Sequence, residues 1–202
     1  MPEEATPQAG PLPKLRLMVS STVYGLEGFL DQVFAILEGY GYEVWMSHKG
    51  TVPTNPKKTA FSNCLEAVNA CDAFLGIITG NYGSGVGPNQ RSITHREVVR
   101  AVSQRKLRWF LVHHDVVVAR QLLKQFRFDD GGKKRPHTFF KKTAVLEDIR
   151  VLEMYESATR HSLPLSKRAG NWVQEYSSHA DALRFIEAQF KEPVRIRRLL
   201  EE

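Results

Sequence analysis

The feature that most constrains the fold of this chain is a regular alternation of short apolar runs with helical patterns. The run "DAFLGIIT" (72–79) is apolar almost throughout, as expected for a strand buried on both faces of a parallel sheet. Comparable runs at 15–20, 42–47, 108–114 and 171–176 are each followed by apolar residues at helical spacing. This alternation predicts an α/β fold, an open parallel sheet of five strands with helices on both faces and the third strand beside the first.

One segment, 127–165, interrupts the alternation. Its apolar residues have helical spacing over 144–158, so we interpret the segment as a helical insertion before the last strand. The first residues, 1–13, show no apolar periodicity and are expected to form a disordered leader. The sequence therefore predicts a single domain over 14–192 that contains the insertion, followed by a basic tail over 193–202.

Charge and hydropathy exclude several classes of function. The net charge of +6 permits an acidic partner, but the excess lies in a loop and a tail rather than on one helix with interleaved aromatic residues. We therefore do not expect nucleic acid as a partner. No apolar run reaches the roughly 18 to 20 residues that cross a bilayer, so we expect a cytoplasmic protein without membrane contact. The spacing of the histidines predicts no metal site. Cys64 and Cys71 are seven residues apart and would share one face of a helix, so we expect two buried thiols rather than a disulfide.

A polar corner, Ser20, Ser21 and Thr22, ends the first predicted strand. Open parallel sheets bind their ligands outside the carboxyl ends of the strands, so these side chains would line the crevice. Their small hydroxyl groups would let a phosphate or a ribose approach the N-terminus of the next helix. The alternative is that one of them only caps that helix.

The third predicted strand ends in a glycine-rich loop, "TGNYGSG" (79–85). The loop has neither the Gly-Lys-Ser/Thr of a Walker motif nor the GxGxxG that opens a dinucleotide-binding helix. A flexible turn is one interpretation. The other is that Asn81 hydrogen-bonds to a ligand and that Tyr82 stacks on it.

A carboxylate, Glu97, lies in the first turn and a half of the helix predicted at 92–106. Close to a ribose it would stabilise an oxocarbenium-like transition state or act as a nucleophile, as carboxylates do in glycoside hydrolysis. The spacing Thr94-x-x-Glu97 also fits a capping box, in which the glutamate would only stabilise the helix. We expect Ser92, at the start of the same helix, to contact the ligand as well.

Three motifs within residues 15–115 carry a resemblance to a known family. They are "LMVSSTVYGLEGFLDQVFAILEGYGYEV", "CLEAVNACDAFLGIITGNYGSG" and "SITHREVVRA", in this order. The combination resembles a bacterial family of domains of unknown function that have a Val-Ser-Ser-Thr strand end and often stand at the N-terminus of phage-defence ATPases. That family is distantly related to TIR domains and to nucleoside 2-deoxyribosyltransferases.

The resemblance implies a flavodoxin-like (TIR-like) fold and cleavage of an N-glycosidic bond. It implies that Glu97 is the catalytic residue that acts on the ribose. Gly25 and His95 stand where the family commonly has acidic residues, which leaves open a domain that binds a nucleotide without turning it over. The loops that line the nucleotide in the relatives correspond to Ser20, Ser21, Thr22, Asn81 and Tyr82.

We therefore expect a TIR-like nucleotide N-glycosidase that cleaves the nicotinamide–ribose bond of NAD or of a related nucleotide, without a cofactor, in antiphage defence or signalling. Its partners would be the small-molecule nucleotide and either further copies of itself or an effector or sensor protein. One alternative is a non-catalytic nucleotide-sensing or self-assembling adaptor, with the insertion and the basic tail as interaction surfaces. A further alternative is an enzyme like the nucleoside deoxyribosyltransferases.

Overall fold

The computed structural model describes residues 13–85, 91–135 and 140–202, and a single sheet of five parallel strands lies at its centre. The strand order is β2-β1-β3-β4-β5, with Leu17 opposite Ala73 and Ser21 opposite Ile77 where β1 pairs with β3. The predicted fold class, and the predicted position of the third strand beside the first, are confirmed. The strands are β1 (Arg16–Ser21), β2 (Glu43–Trp45), β3 (Ala73–Ile78), β4 (Leu107–His113) and β5 (Val173–Tyr176).

Helices connect the strands and cover both faces of the sheet. Short 3₁₀ turns occur at Ser47–Lys49 and Leu165–Lys167. The α-helices are α1 (Glu27–Gly39), α2 (Ala60–Ala70), α3 (Ile93–Ser103), α4 (His114–Leu122), α5 (Lys124–Arg127), α6 (Arg150–Ala158), α7 (His179–Phe190) and α8 (Pro193–Glu201).

Two apolar layers, one on each face, hold the helices against the sheet. Because successive side chains of a strand point to opposite faces, Phe74 and Leu75 of β3 enter different layers. Phe74 packs with residues of α2, α3, α4 and α6, and Leu75 packs with residues of α1, α7 and α8. All six residues of β3 are buried, which is why this run is apolar without alternation.

The inserted segment and the C-terminal residues are both structured. The insertion carries α6, which begins at Arg150 rather than at the predicted residue 144. Thr143 and Leu146 form a turn first, in which the Leu146 N–H donates to Thr143 Oγ1 at 3.0 Å. The predicted basic tail forms helix α8, whose Ile196 is fully buried in the layer beneath α1 and α7.

Two sequence-based expectations remain predictions here. Residues 1–12 of the expected leader lie outside the described part of the chain, as do residues 86–90 of the glycine-rich loop region.

Within the described part, no helix has both the length and the apolar character that crossing a bilayer would need.

Candidate functional site

A cleft of about 780 Å³ opens at the edge of the sheet where β1 and β3 end. Because all five strands are parallel, the loops after β1 and β3 meet at this edge, which is the usual ligand-binding edge of an open α/β sheet. The cleft is lined by Ser21, Thr22, Asn81 and Glu97, together with residues of α2 and of the inserted segment. Two residues of the polar corner, Ser21 and Thr22, therefore line the same cavity as the predicted carboxylate.

Glu97 is a buried carboxylate in the wall of this cleft. Its residue surface is only 5% exposed, and its Oε2 accepts a hydrogen bond of 2.5 Å from Ser20 Oγ. The thiol of Cys64, on α2, is hydrogen-bonded to the same carboxylate. Ser20 thus holds Glu97 in place instead of facing the open cleft, and the first strand of the sheet is connected directly to helix α3.

The capping-box interpretation of Glu97 is wrong. The N-cap of α3 is Ser92, whose Oγ accepts the N–H of His95 at 3.2 Å. His95 therefore occupies the N3 position that a capping box requires, and Glu97 lies two residues beyond it. A helix-capping role therefore does not explain why a carboxylate is buried at this position.

Burial raises the pKa of Glu97 above its ordinary value, and the hydrogen bonds from Ser20 and Cys64 partly oppose that rise. Removing a carboxylate from water disfavours its charged form, whereas donors aimed at it favour that form. The result is a carboxyl group whose ionisation depends on two specific neighbours. Such perturbed groups in clefts are typical of functional sites.

Ser21, Thr22 and Asn81 line the cleft. Thr22 Oγ1 lies 3.2 Å from Thr79 Oγ1, at the end of the adjacent strand β3. Ser21 Oγ donates to the carbonyl oxygen of Thr22 at 2.9 Å. Asn81 Nδ2 donates to the carbonyl oxygen of Tyr24 at 3.1 Å, which links the two loops across the cleft.

Two of the predicted ligand contacts are not placed to make them. Tyr82 is only 1% exposed, and its hydroxyl lies 2.8 Å from His95 Nδ1 while Arg150 lies over its ring, so the ring has no free face for stacking. Ser92 is fully buried and is used as the helix N-cap. Both residues support the cleft structurally, because they hold the glycine-rich loop and the start of α3.

Several residues of the cleft were not singled out by the sequence. Tyr24 is 85% exposed at the rim and offers the aromatic surface that Tyr82 does not. Cys64 contacts Glu97 from α2, and Lys142 and Glu147 come from the inserted segment. Tyr24 could have been noticed, because it follows the polar corner directly in "SSTVYG".

The inserted segment is fixed to the glycine-rich loop by backbone contacts. The N–H of Glu147 donates to the carbonyl oxygen of Gly80 at 2.8 Å, and the N–H of Tyr82 donates to Glu147 Oε2 at 2.8 Å. A side chain at Gly80 would place a Cβ atom 2.0 Å from the carbonyl oxygen of Val145, so only glycine fits there. Lys142, which is 70% exposed, lies 3.2 Å from Glu147 and is held at the cleft.

The environment of Cys64 gives a first prediction. Burial, and then the charge and hydrogen bond of Glu97, raise the pKa of this thiol from 9.0 to about 12. At pH 8 this lowers the thiolate fraction by about 1000-fold, so Cys64 should react with iodoacetamide far more slowly in the native protein than in the unfolded chain. Glu97→Gln should accelerate the native reaction, since one cause of the raised pKa is removed. Rapid labelling of Cys64 in the native wild type would contradict this placement of the thiol.

These features define an α/β domain with a polar cleft around a buried carboxylate. Residues 16–169 match the model of the family named Domain of unknown function (DUF4062), and the chain belongs to that family. No curated protein matches the sequence.

Two solved structures are similar to this chain at low sequence identity. A CMP N-glycosidase of Clostridium botulinum is 13% identical, with 86% of this chain and 98% of that chain covered and a TM-score of 0.46. A 2-deoxyribosyltransferase from Leishmania mexicana is 16% identical, with 75% of this chain and 100% of that chain covered and a TM-score of 0.37.

Proposed function

We propose that the protein is a nucleotide N-glycosidase and that Glu97 is its catalytic residue. The observation that carries this proposal is the carboxylate itself, buried in the wall of the cleft and hydrogen-bonded by Ser20 and Cys64. Neither helix capping nor an ion pair explains why Glu97 is buried at this position. Ser92 caps α3, and no cation among the described residues pairs with Glu97. A buried, oriented carboxylate suits stabilisation of positive charge that develops on a substrate.

The reaction would break the bond between the anomeric carbon of a ribose and the nitrogen of its base. The bonding electron pair leaves with the nitrogen, and positive charge develops on the sugar ring. Glu97, in its ionised form, stabilises that charge or bonds to the anomeric carbon. Water then supplies a hydroxyl group to that carbon and releases a proton, and any bond between Glu97 and the carbon breaks in this step to restore the carboxylate.

We propose NAD or a related nucleotide as the substrate. Nicotinamide carries a positive charge in NAD and leaves as a neutral base, so the reaction needs no group that protonates the leaving nitrogen. The cleft volume of about 780 Å³ lies within the range of small-molecule sites. Tyr24 at the rim offers a ring surface for a base, and Lys142 offers a cation for a phosphate.

Lys142 gives a prediction on substrate class. Among the described residues that line the cleft, Lys142 is the single cation, so it is the best-placed partner for a nucleotide phosphate. Lys142→Gln should raise the KM for a nucleotide by about tenfold and leave kcat within about twofold, because the bond to phosphate is present in ground and transition states alike. The KM for the matching nucleoside should not change. An equal effect on nucleotide and nucleoside would contradict the phosphate contact.

A non-catalytic nucleotide sensor is the second candidate. It is favoured by the small exposed fraction of Glu97 and by the two donors that already occupy its carboxylate. In a sensor these hydrogen bonds would stabilise the binding cleft, and the inserted segment would report ligand binding through Glu147. A deoxyribosyltransferase would instead pass the sugar from Glu97 to a second base.

One experiment separates these functions. Pure protein, at a concentration that allows self-assembly, is incubated with NAD, NADP, the common ribonucleotides and deoxynucleosides, with and without a free acceptor base, and the mixture is analysed by mass spectrometry. Free base that accumulates without acceptor supports the glycosidase. A new nucleoside formed only with acceptor supports the transferase, and tight binding without any product supports the sensor.

A further inference from the structure

A second cleft, of about 620 Å³, lies at the opposite edge of the sheet. It surrounds the start of β4, and because the strands are parallel, the start of β4 lies at the edge away from Glu97. Arg105 follows the end of α3, Arg108 lies on β4 itself, and Arg160 follows the end of α6. Helix α8 closes the cleft with Leu199 and Leu200.

The charges around this second cleft are of one sign. Its described lining includes Arg105, Lys106, Arg108 and Arg160 and contains no aspartate or glutamate. None of these four cations forms a salt bridge with a carboxylate in the part of the chain that the structure describes. Elsewhere in the same protein, Arg16, Arg120, Arg127 and Arg184 are all paired with carboxylates.

Two of the guanidinium groups converge on a single neutral oxygen. Arg108 Nη2 donates to the carbonyl oxygen of Ala169 at 3.1 Å, and Arg160 Nη1 donates to the same oxygen at 2.7 Å. A Cβ atom at Gly170 would lie 2.6 Å from Arg108 Nη2, so the guanidinium packs against a position where a side chain would displace it. Two like charges are thus held side by side with only a carbonyl dipole between them.

The half-buried Arg108 is also incompletely hydrogen-bonded. Its Nη1 donates to the carbonyl oxygen of Lys106 at 3.0 Å, but its Nε is buried and has no partner within the described residues. Burial, and then repulsion from Arg160, lower the pKa of Arg108 below its ordinary value. Buried donors in native proteins are normally paired, so this arginine is held in an unusual state. An anion in the cleft that binds the terminal nitrogens of Arg108 and Arg160 would relieve the repulsion between the two guanidinium groups.

We propose that this second cleft binds a small phosphorylated ligand, independently of the Glu97 cleft. Arginine forks match phosphate oxygens in a bidentate geometry, and several guanidinium groups together suit a ligand with more than one phosphate. Val102, Leu107 and Leu199 give the remaining walls an apolar character that suits the organic part of such a ligand. The site is a concave pit rather than a basic stripe, which favours a small molecule over the backbone of a nucleic acid.

Inorganic pyrophosphate at low ionic strength is the probe, and isothermal titration calorimetry is the measurement. The wild type should bind pyrophosphate, and Arg108→Gln and Arg160→Gln should each weaken that binding by at least about tenfold. Arg184→Gln, which removes one positive charge from α7, should leave the affinity within about twofold. Lys142→Gln identifies any pyrophosphate that binds in the Glu97 cleft instead, because Lys142 lies there. Thermal unfolding of each variant checks that it is folded. If Arg108→Gln does not fold, Arg160→Gln is the decisive variant.

Three results would overturn the proposal. The first is no binding of pyrophosphate by the wild type, and binding of a single-stranded oligonucleotide in that case would identify a nucleic-acid surface instead. The second is an equal loss in all four variants, which would indicate a general effect of net charge. The third is a loss confined to Lys142→Gln, which would place the anion in the Glu97 cleft.

Discussion

Replacing Glu97 by Gln should lower the turnover of the nucleotide substrate by at least about 100-fold, or roughly 2.7 kcal/mol of transition-state stabilisation. Gln keeps the shape of the side chain and can still accept the hydrogen bond from Ser20, but it lacks the negative charge that a ribosyl cation requires. Turnover is measured as release of free base under saturating substrate. The effect should therefore appear in kcat rather than in KM alone.

The stability of Glu97→Gln provides the control for that experiment. Because burial raises the pKa of Glu97, the folded state favours the protonated carboxyl, and the stability that this group contributes is lost as pH rises through its folded pKa. A neutral Gln avoids that loss, so Tm at pH 7 should be no lower than in the wild type. A folded Glu97→Gln protein with unchanged turnover would remove Glu97 from the mechanism.

The second large effect concerns the buried ion pair that joins α5 to α6. Arg127 is 2% exposed, and its two terminal nitrogens donate to the two oxygens of Glu156 at 2.8 Å each, while Arg120 Nε donates to the same carboxylate at 3.1 Å. Glu156→Leu would leave a buried guanidinium without its partner and should lower the free energy of unfolding by about 3–5 kcal/mol. For a domain of this size that corresponds to a Tm lower by roughly 6–20 °C.

The double variant Arg127→Met/Glu156→Leu is the matched test of this pair. It removes both charges and should recover most of the lost stability, because two apolar side chains of similar volume can replace a buried ion pair. Burial alone would raise the pKa of Glu156, but Arg127 and Arg120 lower it below its ordinary value, so the contribution of the pair should be lost as pH falls through that lowered pKa. A single variant as stable as the wild type would mean that the pair does not stabilise the fold.

The sheet could be predicted from the sequence because each strand is recognisable from a short continuous stretch of residues. Each strand is a short apolar run, and β3, predicted at 72–79, is observed as Ala73–Ile78. The order of the strands followed from the general handedness of parallel connections. The start of α6 could not be predicted in the same way, because the turn at Thr143 and the contact of Glu147 with Gly80 make the helix begin later than its apolar pattern does.

The site was predictable only where chain order places residues at the end of a strand. Ser21, Thr22 and Asn81 reach the cleft for that reason, and Glu97 reaches it from the helix that follows β3. The buried state of Tyr82 depends on His95 and on Arg150 of α6, and the access of Lys142 depends on how the insertion folds back. Such contacts between distant segments leave no periodic signal in a single sequence.

The pH dependence of turnover is the most direct test of the claim that ionised Glu97 is the catalytic group. The acid limb of the wild-type profile should lie above pH 4.5, the ordinary pKa of a glutamate, because burial raises the pKa of Glu97. Ser20→Ala removes a hydrogen bond that favours the charged form, so its acid limb should move to still higher pH. Ser21→Ala, which loses only a bond to the Thr22 carbonyl, should leave the limb where it is. The account predicts this separation of the two serine variants, and an identical acid limb in wild type and Ser20→Ala would contradict it.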